Sequence, residues 1–178
     1  MTGLEDVVSA LVTLVVVVDP LGLAPIFVAV TEGLPASARR QVGARAALIA
    51  AAVLIGFALV GNWVLAKLGI TLPAFRIAGG LLLFSIAFEM VFDFRGERQA
   101  KTAERALEEH VKHLAAFPLA IPLIAGPGAI TATLLLGAQA AGQTLRLAVL
   151  VGIIVLVIAL TAAVFLAAAR VAKVLGTT

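Results

Sequence analysis

Two apolar runs in this chain are long enough to cross a bilayer, and each is broken near its middle by residues that disrupt helices. The first, from about Val7 to Val30, carries Asp19-Pro20-Leu21-Gly22 and then Pro25. The second, from about Phe117 to Leu136, carries Gly126-Pro127-Gly128. A proline inside a helix removes one N–H donor and clashes with the preceding turn. Water is absent from hydrocarbon, so every backbone group freed by such a break must find a partner within the protein or from a ligand. Two interrupted crossings therefore restrict the fold more than any intact apolar helix does.

Composition fixes the class. Hydrophobic residues make up 62% of the 178 positions and charged residues 13%, against about a quarter charged in an ordinary soluble domain. The chain reads as an all-α membrane protein, a helical bundle of five transmembrane segments. The other three run from about Ala46 to Leu68, from about Ile77 (or earlier, near Leu72) to Phe92, and from about Leu147 to Ala169. The net charge of +3 does not indicate nucleic acid, because the basic residues lie between apolar segments, where they report topology. With no cysteine, disulfides, thiolate metal sites and cysteine nucleophiles are excluded. Glu5 and Asp6 stand where a signal peptide would be basic, so the first segment is expected to be a retained helix.

Lys and Arg in the short loops set the orientation. Arg39, Arg40 and Arg45 follow the first segment; Arg95, Arg98, Lys101, Arg105 and Lys112 lie in the linker after the third; Arg170 and Lys173 follow the fifth. The opposite side holds Lys67, Arg76 and Arg146. The N-terminus is expected outside and the linker at 95–116 in the cytoplasm. Within the linker, 103–114 reads as a surface helix. His110 and His113 on it read as a solvated pair with no third metal ligand.

Pro127 lies 107 residues after Pro20, and the same offset lays Gln41–Lys67 on Ala148–Val174. Positions 1–94 then form a three-helix repeat, 95–116 a cytoplasmic polar linker, and 117–178 a second repeat. Because the unit has three crossings, its copy is inserted upside down, an inverted 3+3 repeat with broken helices 1 and 4. Its third helix, the sixth of the full pattern, is expected to be absent from this sequence.

Breaks at matching places in two inverted halves are the sequence sign of a secondary-transporter site. Unwinding leaves carbonyls free on one side and N–H groups on the other. The N–H end suits a carboxylate, the carbonyl end an ammonium or cation. The competing reading is a pair of proline kinks repaired by neighbouring hydroxyls. Asp19 follows twelve apolar or neutral residues, Val7 to Val18, and so sits at or past mid-membrane, where a carboxylate is costly. It either contacts substrate or ion, or caps the helix that follows. Thr31, Thr131 and Thr133 are candidates to line the same cavity, Thr131 best placed, one turn past the second break; a hydroxyl bonded to its own helix is the ordinary alternative. Gly79, Gly80 and Ser85 are expected at close helix contacts, and Asn62 as a helix–helix contact. Glu89 is expected to reach towards the membrane surface.

The stretches "VVVDPLGLAPIFVAVTEGLPASARR", "FRIAGGLLLFSIAFEMVF" and "FPLAIPLIAGPGAITATLLL" resemble the signature regions and third helix of the MarC family of small multi-pass inner-membrane proteins. The resemblance spans essentially the whole chain. It implies six membrane helices in a full member, an inner-membrane location and transport of small neutral amino acids. The positions matching the motifs are Asp19, Pro20, Gly22, Pro25, Gly126, Pro127, Gly128 and Thr131, which are the candidate substrate-binding residues.

The leading expectation is thus a secondary transporter of a glycine- or alanine-like zwitterion, coupled to a proton or cation through Asp19. It needs no cofactor, no metal and no nucleic acid; its partners are the substrate, the coupling ion, the lipid bilayer and, as an open possibility, further copies in a homo-oligomer. Alternatives are an ion or metal permease, a drug-efflux component and a non-transporting structural membrane protein. The permease is disfavoured because one aspartate makes a poor metal cage. An enzyme is not expected, since the apolar segments hold no nucleophile–base pair.

Overall fold

The computed structural model describes residues 3–92, 96, 98, 101 and 115–175. The helix expected at 103–114, with His110 and His113, lies outside them. Among the described residues there are seven helical elements and no strand: α1 Leu4–Val18, α2 Pro20–Val30, α3 Ala36–Lys67, α4 Leu72–Val91, α5 Ala115–Ile124, α6 Pro127–Ala140 and α7 Thr144–Leu175.

The first crossing is α1 followed by α2. Glu5 and Asp6 occupy the first turn of α1, where negative charge complements the helix dipole. One residue separates the two helices: Asp19, with φ 55° and ψ 66°. Aspartate is among the few side chains that accept this left-handed conformation. Pro20 then opens α2 at the position where a missing N–H is least costly. The second broken crossing is α5 followed by α6. α5 is wound as a π-helix, and its wider register continues in the bond from the Ala125 N–H to the Ala120 carbonyl, 2.8 Å. Pro122 has no N–H to give to a tighter ladder. Gly126 is extended, and Pro127 opens α6.

By length and composition, Leu4–Val30, Ala36–Lys67, Leu72–Val91 and Thr144–Arg170 can each cross a membrane. The α5–α6 pair supplies a further, broken crossing. The helices α3 and α7 begin earlier than the apolar runs suggest, at Ala36 and Thr144. Polar first turns extend them beyond the hydrocarbon: 32 residues reach about 48 Å against a core of about 30 Å. α4 starts at Leu72, where Thr71 caps it by accepting from the Ala74 N–H at 3.4 Å.

α3 packs on α5, α6 and α7, while α7 packs on α1 and α2; α1 lies on α6 and α2 on α5. Exchanging α1–α3 for α5–α7 maps these pairings onto one another, but the packing of α6 on α7 has no counterpart of like extent between α2 and α3. Small residues make the closest crossings. A Cβ on Gly137 of α6 would lie 2.7 Å from the Ala58 carbonyl of α3, so the two backbones nearly touch there. Gly43 of α3 makes room for Phe27 of α2, whose ring stacks on Phe165 of α7 with centroids 4.4 Å apart. Both rings are buried.

α4 stands apart. It packs chiefly on α6, and Gly79 is its one buried residue. A Cβ there would come 2.6 Å from the Thr131 methyl. Gly80 and Ser85 are exposed, with open space around Gly80; of the three positions expected at helix contacts, only Gly79 is one. Asn62 is exposed on α3 rather than placed at a contact. Ile77, Leu81, Phe84 and Phe88 of α4 point outwards, as they do when the surrounding solvent is hydrocarbon.

Candidate functional site

The two breaks meet at one level of the bundle. Val17, two residues before Asp19, lies against Gly128, two residues after Gly126: a Cβ on Gly128 would be 3.0 Å from the Val17 Cγ1 and closer still to the Ile86 side chain of α4. The end of α1 therefore meets the start of α6, with a residue of α4 closing the third side.

At the first break, Asp19 is half-buried and does what a capping residue does. Its Oδ1 accepts from the Gly22 N–H at 3.0 Å. Its own N–H continues α1 by bonding the Val15 carbonyl at 2.9 Å, and its carbonyl starts α2 by accepting from the Leu23 N–H at 3.1 Å. A Cβ at Gly22 would fall on the Asp19 carboxylate, so glycine here lets the carboxylate stay on the N–H it caps. Pro20 is buried, whereas Leu21, Gly22 and Pro25 lie on the outward side of α2.

At the second break no side chain caps α6. Gly126 could not carry one without displacement, since its Cβ position is 2.5 Å from the Pro122 carbonyl oxygen. Gly128 and Thr131 are buried, Gly126 half-buried and Pro127 exposed.

The three threonines behave differently. Thr31 is buried at the far end of α2 and donates to the Phe27 carbonyl at 2.6 Å; its hydroxyl serves its own helix, eleven positions from Pro20. Thr131 turns its methyl towards Gly79. Thr133 is fully buried, and its Oγ1 has no hydrogen-bond partner among the described residues. Leaving a buried hydroxyl unpaired costs about 1–3 kcal/mol. The sequence had favoured Thr131, because distance from the break was the only measure it offered.

A second pair follows the repeat offset. Arg39, in the first turn of α3, donates through Nη2 to the Thr31 carbonyl at 3.2 Å and so holds the C-terminal end of α2. Arg146 stands 107 residues later, in the first turn of α7. The Nε of each is buried without a hydrogen-bond partner among the described residues. Sequence reading used these arginines only as topology signals; the offset that aligned the prolines would also have paired them. At the end of α4, Glu89 bonds Arg98 at 2.8 Å, so it is held by a cation. Among the described residues no group of acids and histidines could hold a metal ion.

A multi-pass α-helical membrane protein with two broken crossings meeting at one level is the class these elements define. Residues 4–178 match the family model described as MarC family integral membrane protein. The chain belongs to that family. A UPF0056 membrane protein of Methanocaldococcus jannaschii is 41% identical over 126 residues, 70% of this chain and 60% of that protein. The UPF0056 membrane protein YvbG of Bacillus subtilis is 33% identical over 173 residues, 97% of this chain and 82% of the relative. YhcE of Escherichia coli, likewise a UPF0056 membrane protein, is 35% identical over 122 residues, 68% of this chain and 57% of its own length. The chain spans 55–66% of the length of several archaeal relatives it matches. No solved structure matches it.

Proposed function

We propose that the protein is a secondary transporter of small neutral amino acids, glycine or alanine in size, working across the cell's inner membrane. The observation that carries this reading is the meeting of the two breaks through Val17 and Gly128. It brings the carbonyl end of α1 and the N–H end of α6, which carry opposite partial charges, to one region of the bundle. The reciprocal helix pairings support an inverted repeat, the architecture in which such sites alternate their access. The N-terminus lies outside and the α2–α3 turn, with Arg39, Arg40 and Arg45 close by, faces the cytoplasm. Coupling runs through a proton or cation at Asp19.

The test is uptake of labelled glycine and alanine into proteoliposomes, with and without a pH gradient, for the wild type and Asp19→Asn. Saturable uptake that the gradient stimulates is expected, with the stimulation lost in Asp19→Asn. Absence of uptake by the wild type ends the transporter reading; gradient-driven uptake retained by Asp19→Asn ends only the coupling role.

A further inference from the structure

We propose that Ile86 of α4, with Val17 of α1 beside it, sets the upper size of the transported molecule where the two breaks meet. This rests on the transporter reading and names a specificity-determining residue for it.

Three elements converge at Gly128. A Cβ there would lie 3.0 Å from the Val17 Cγ1; the Ile86 Cδ1 stands closer still, with its Cγ1 at 3.8 Å. The tip of Ile86 thus fills the space that a side chain at 128 would need. The three nearest atoms are all side-chain atoms. At Gly137 the nearest atom is instead the backbone carbonyl of Ala58, so glycine there brings two helix backbones together. At Gly128 glycine leaves a notch between helices, and two side-chain ends occupy it.

That notch belongs to the second break. At the offset of 107, Gly128 falls on Leu21, whose side chain is large and 76% exposed. A notch demanded by the repeat itself would recur there. The α4–α6 crossing does not demand it either. Two turns earlier on α4 the crossing is made by Gly79, and α6 supplies the bulk through Thr131 and Leu135. At the break the roles reverse: α6 gives way and α4 supplies the bulk.

The occupants suit a fixed limit. Isoleucine and valine are β-branched, so each holds essentially one χ1 rotamer in a helix and yields less than an unbranched methionine would. Both Ile86 and Val17 are half-buried, whereas Phe84 and Phe88 turn outwards. Ile86 is also carried by the helix that has a single buried residue, Gly79. A small shift of α4 away from α6 withdraws the Ile86 Cδ1 and frees room beside the carbonyl end of α1 and the N–H end of α6. A molecule the size of glycine or alanine asks for little such movement. Each further methylene asks for more, against the contact of Gly79 with Thr131.

Equilibrium binding to the purified full chain tests this, with labelled glycine displaced by alanine and by valine. Ile86→Val removes the Cδ1, the atom nearest the notch, and keeps the branched shape. It is expected to improve valine binding relative to glycine about tenfold. Phe84→Ala, a larger truncation on the outward side of the same helix, should leave that ratio within about twofold of the wild type. Gly128→Ala should act in the opposite sense, weakening alanine more than glycine, and adding Ile86→Val to the same chain should relieve it. A ratio within about twofold of wild type in a folded Ile86→Val protein overturns the assignment, while retained glycine and alanine binding leaves the transporter reading intact. An equal change in Phe84→Ala overturns it too, because general loosening of α4 would then be the cause. So does a Gly128→Ala defect that Ile86→Val leaves untouched. If the wild type binds neither glycine nor alanine, the transporter reading falls and the size limit falls with it.

Discussion

Asp19 carries two separable duties in the fold: it takes a left-handed backbone, and it caps α2 through the Gly22 N–H. Asparagine performs both, since it tolerates that conformation and caps equally well. Alanine performs neither. Asp19→Asn should therefore unfold within about 0.5 kcal/mol of the wild type, and Asp19→Ala should lose about 1–2 kcal/mol, read from thermal unfolding in detergent. Equal stability of Asp19→Ala would remove the cap from the account. Gly22→Ala belongs to the same test, because its methyl group would drive the carboxylate off the N–H it serves. It should destabilise although Gly22 faces outwards and makes no core contact.

Among the elements, the α3–α6 crossing is the tightest. Gly137 meets the Ala58 carbonyl, and Gly61 of α3 meets the Leu134 side chain. A flexible leucine end can move aside, whereas a backbone carbonyl cannot. Gly137→Ala should cost about 1–3 kcal/mol, and Gly61→Ala should cost less. Equal losses at the two sites would mean that helix α3 yields as a whole. Much at this scale was legible beforehand: the positions of both breaks and the early start of α4 follow from proline and glycine. What lay beyond reach was the facing of apolar helices. In a soluble helix the polar side reveals the buried one. α4 is apolar nearly all round, so Gly79, Gly80 and Ser85 looked equivalent although only Gly79 is buried. The choice among Thr31, Thr131 and Thr133 was closed for a similar reason. Whether a hydroxyl turns back on its own helix depends on side-chain torsion and on neighbours brought in by tertiary packing.

For the molecule as a whole, orientation gives the plainest expectation. The chain has no cysteine, so single cysteines can be placed without background. Ser37 near the start of α3 and Gln143 just before α7 are both exposed and should lie on opposite sides of the membrane. A membrane-impermeant maleimide applied to intact cells should label Gln143→Cys and spare Ser37→Cys until the cells are opened. The reverse pattern would invert the topology; labelling of both from outside would refute the odd number of crossings between them.

The outward stance of α4 also has a mechanical consequence. Its 20 residues make a rod of about 30 Å, the thickness of the hydrocarbon it stands in. Protein holds it mainly along one line, through Gly79 and Ile86 to Thr131 and Gly128; acyl chains support the rest. A thinner bilayer must therefore tilt this rod before it disturbs the longer, more enclosed α3. The tilt pivots on the very residues that border the second break, which couples the lipid's dimensions to the geometry of that end of α6.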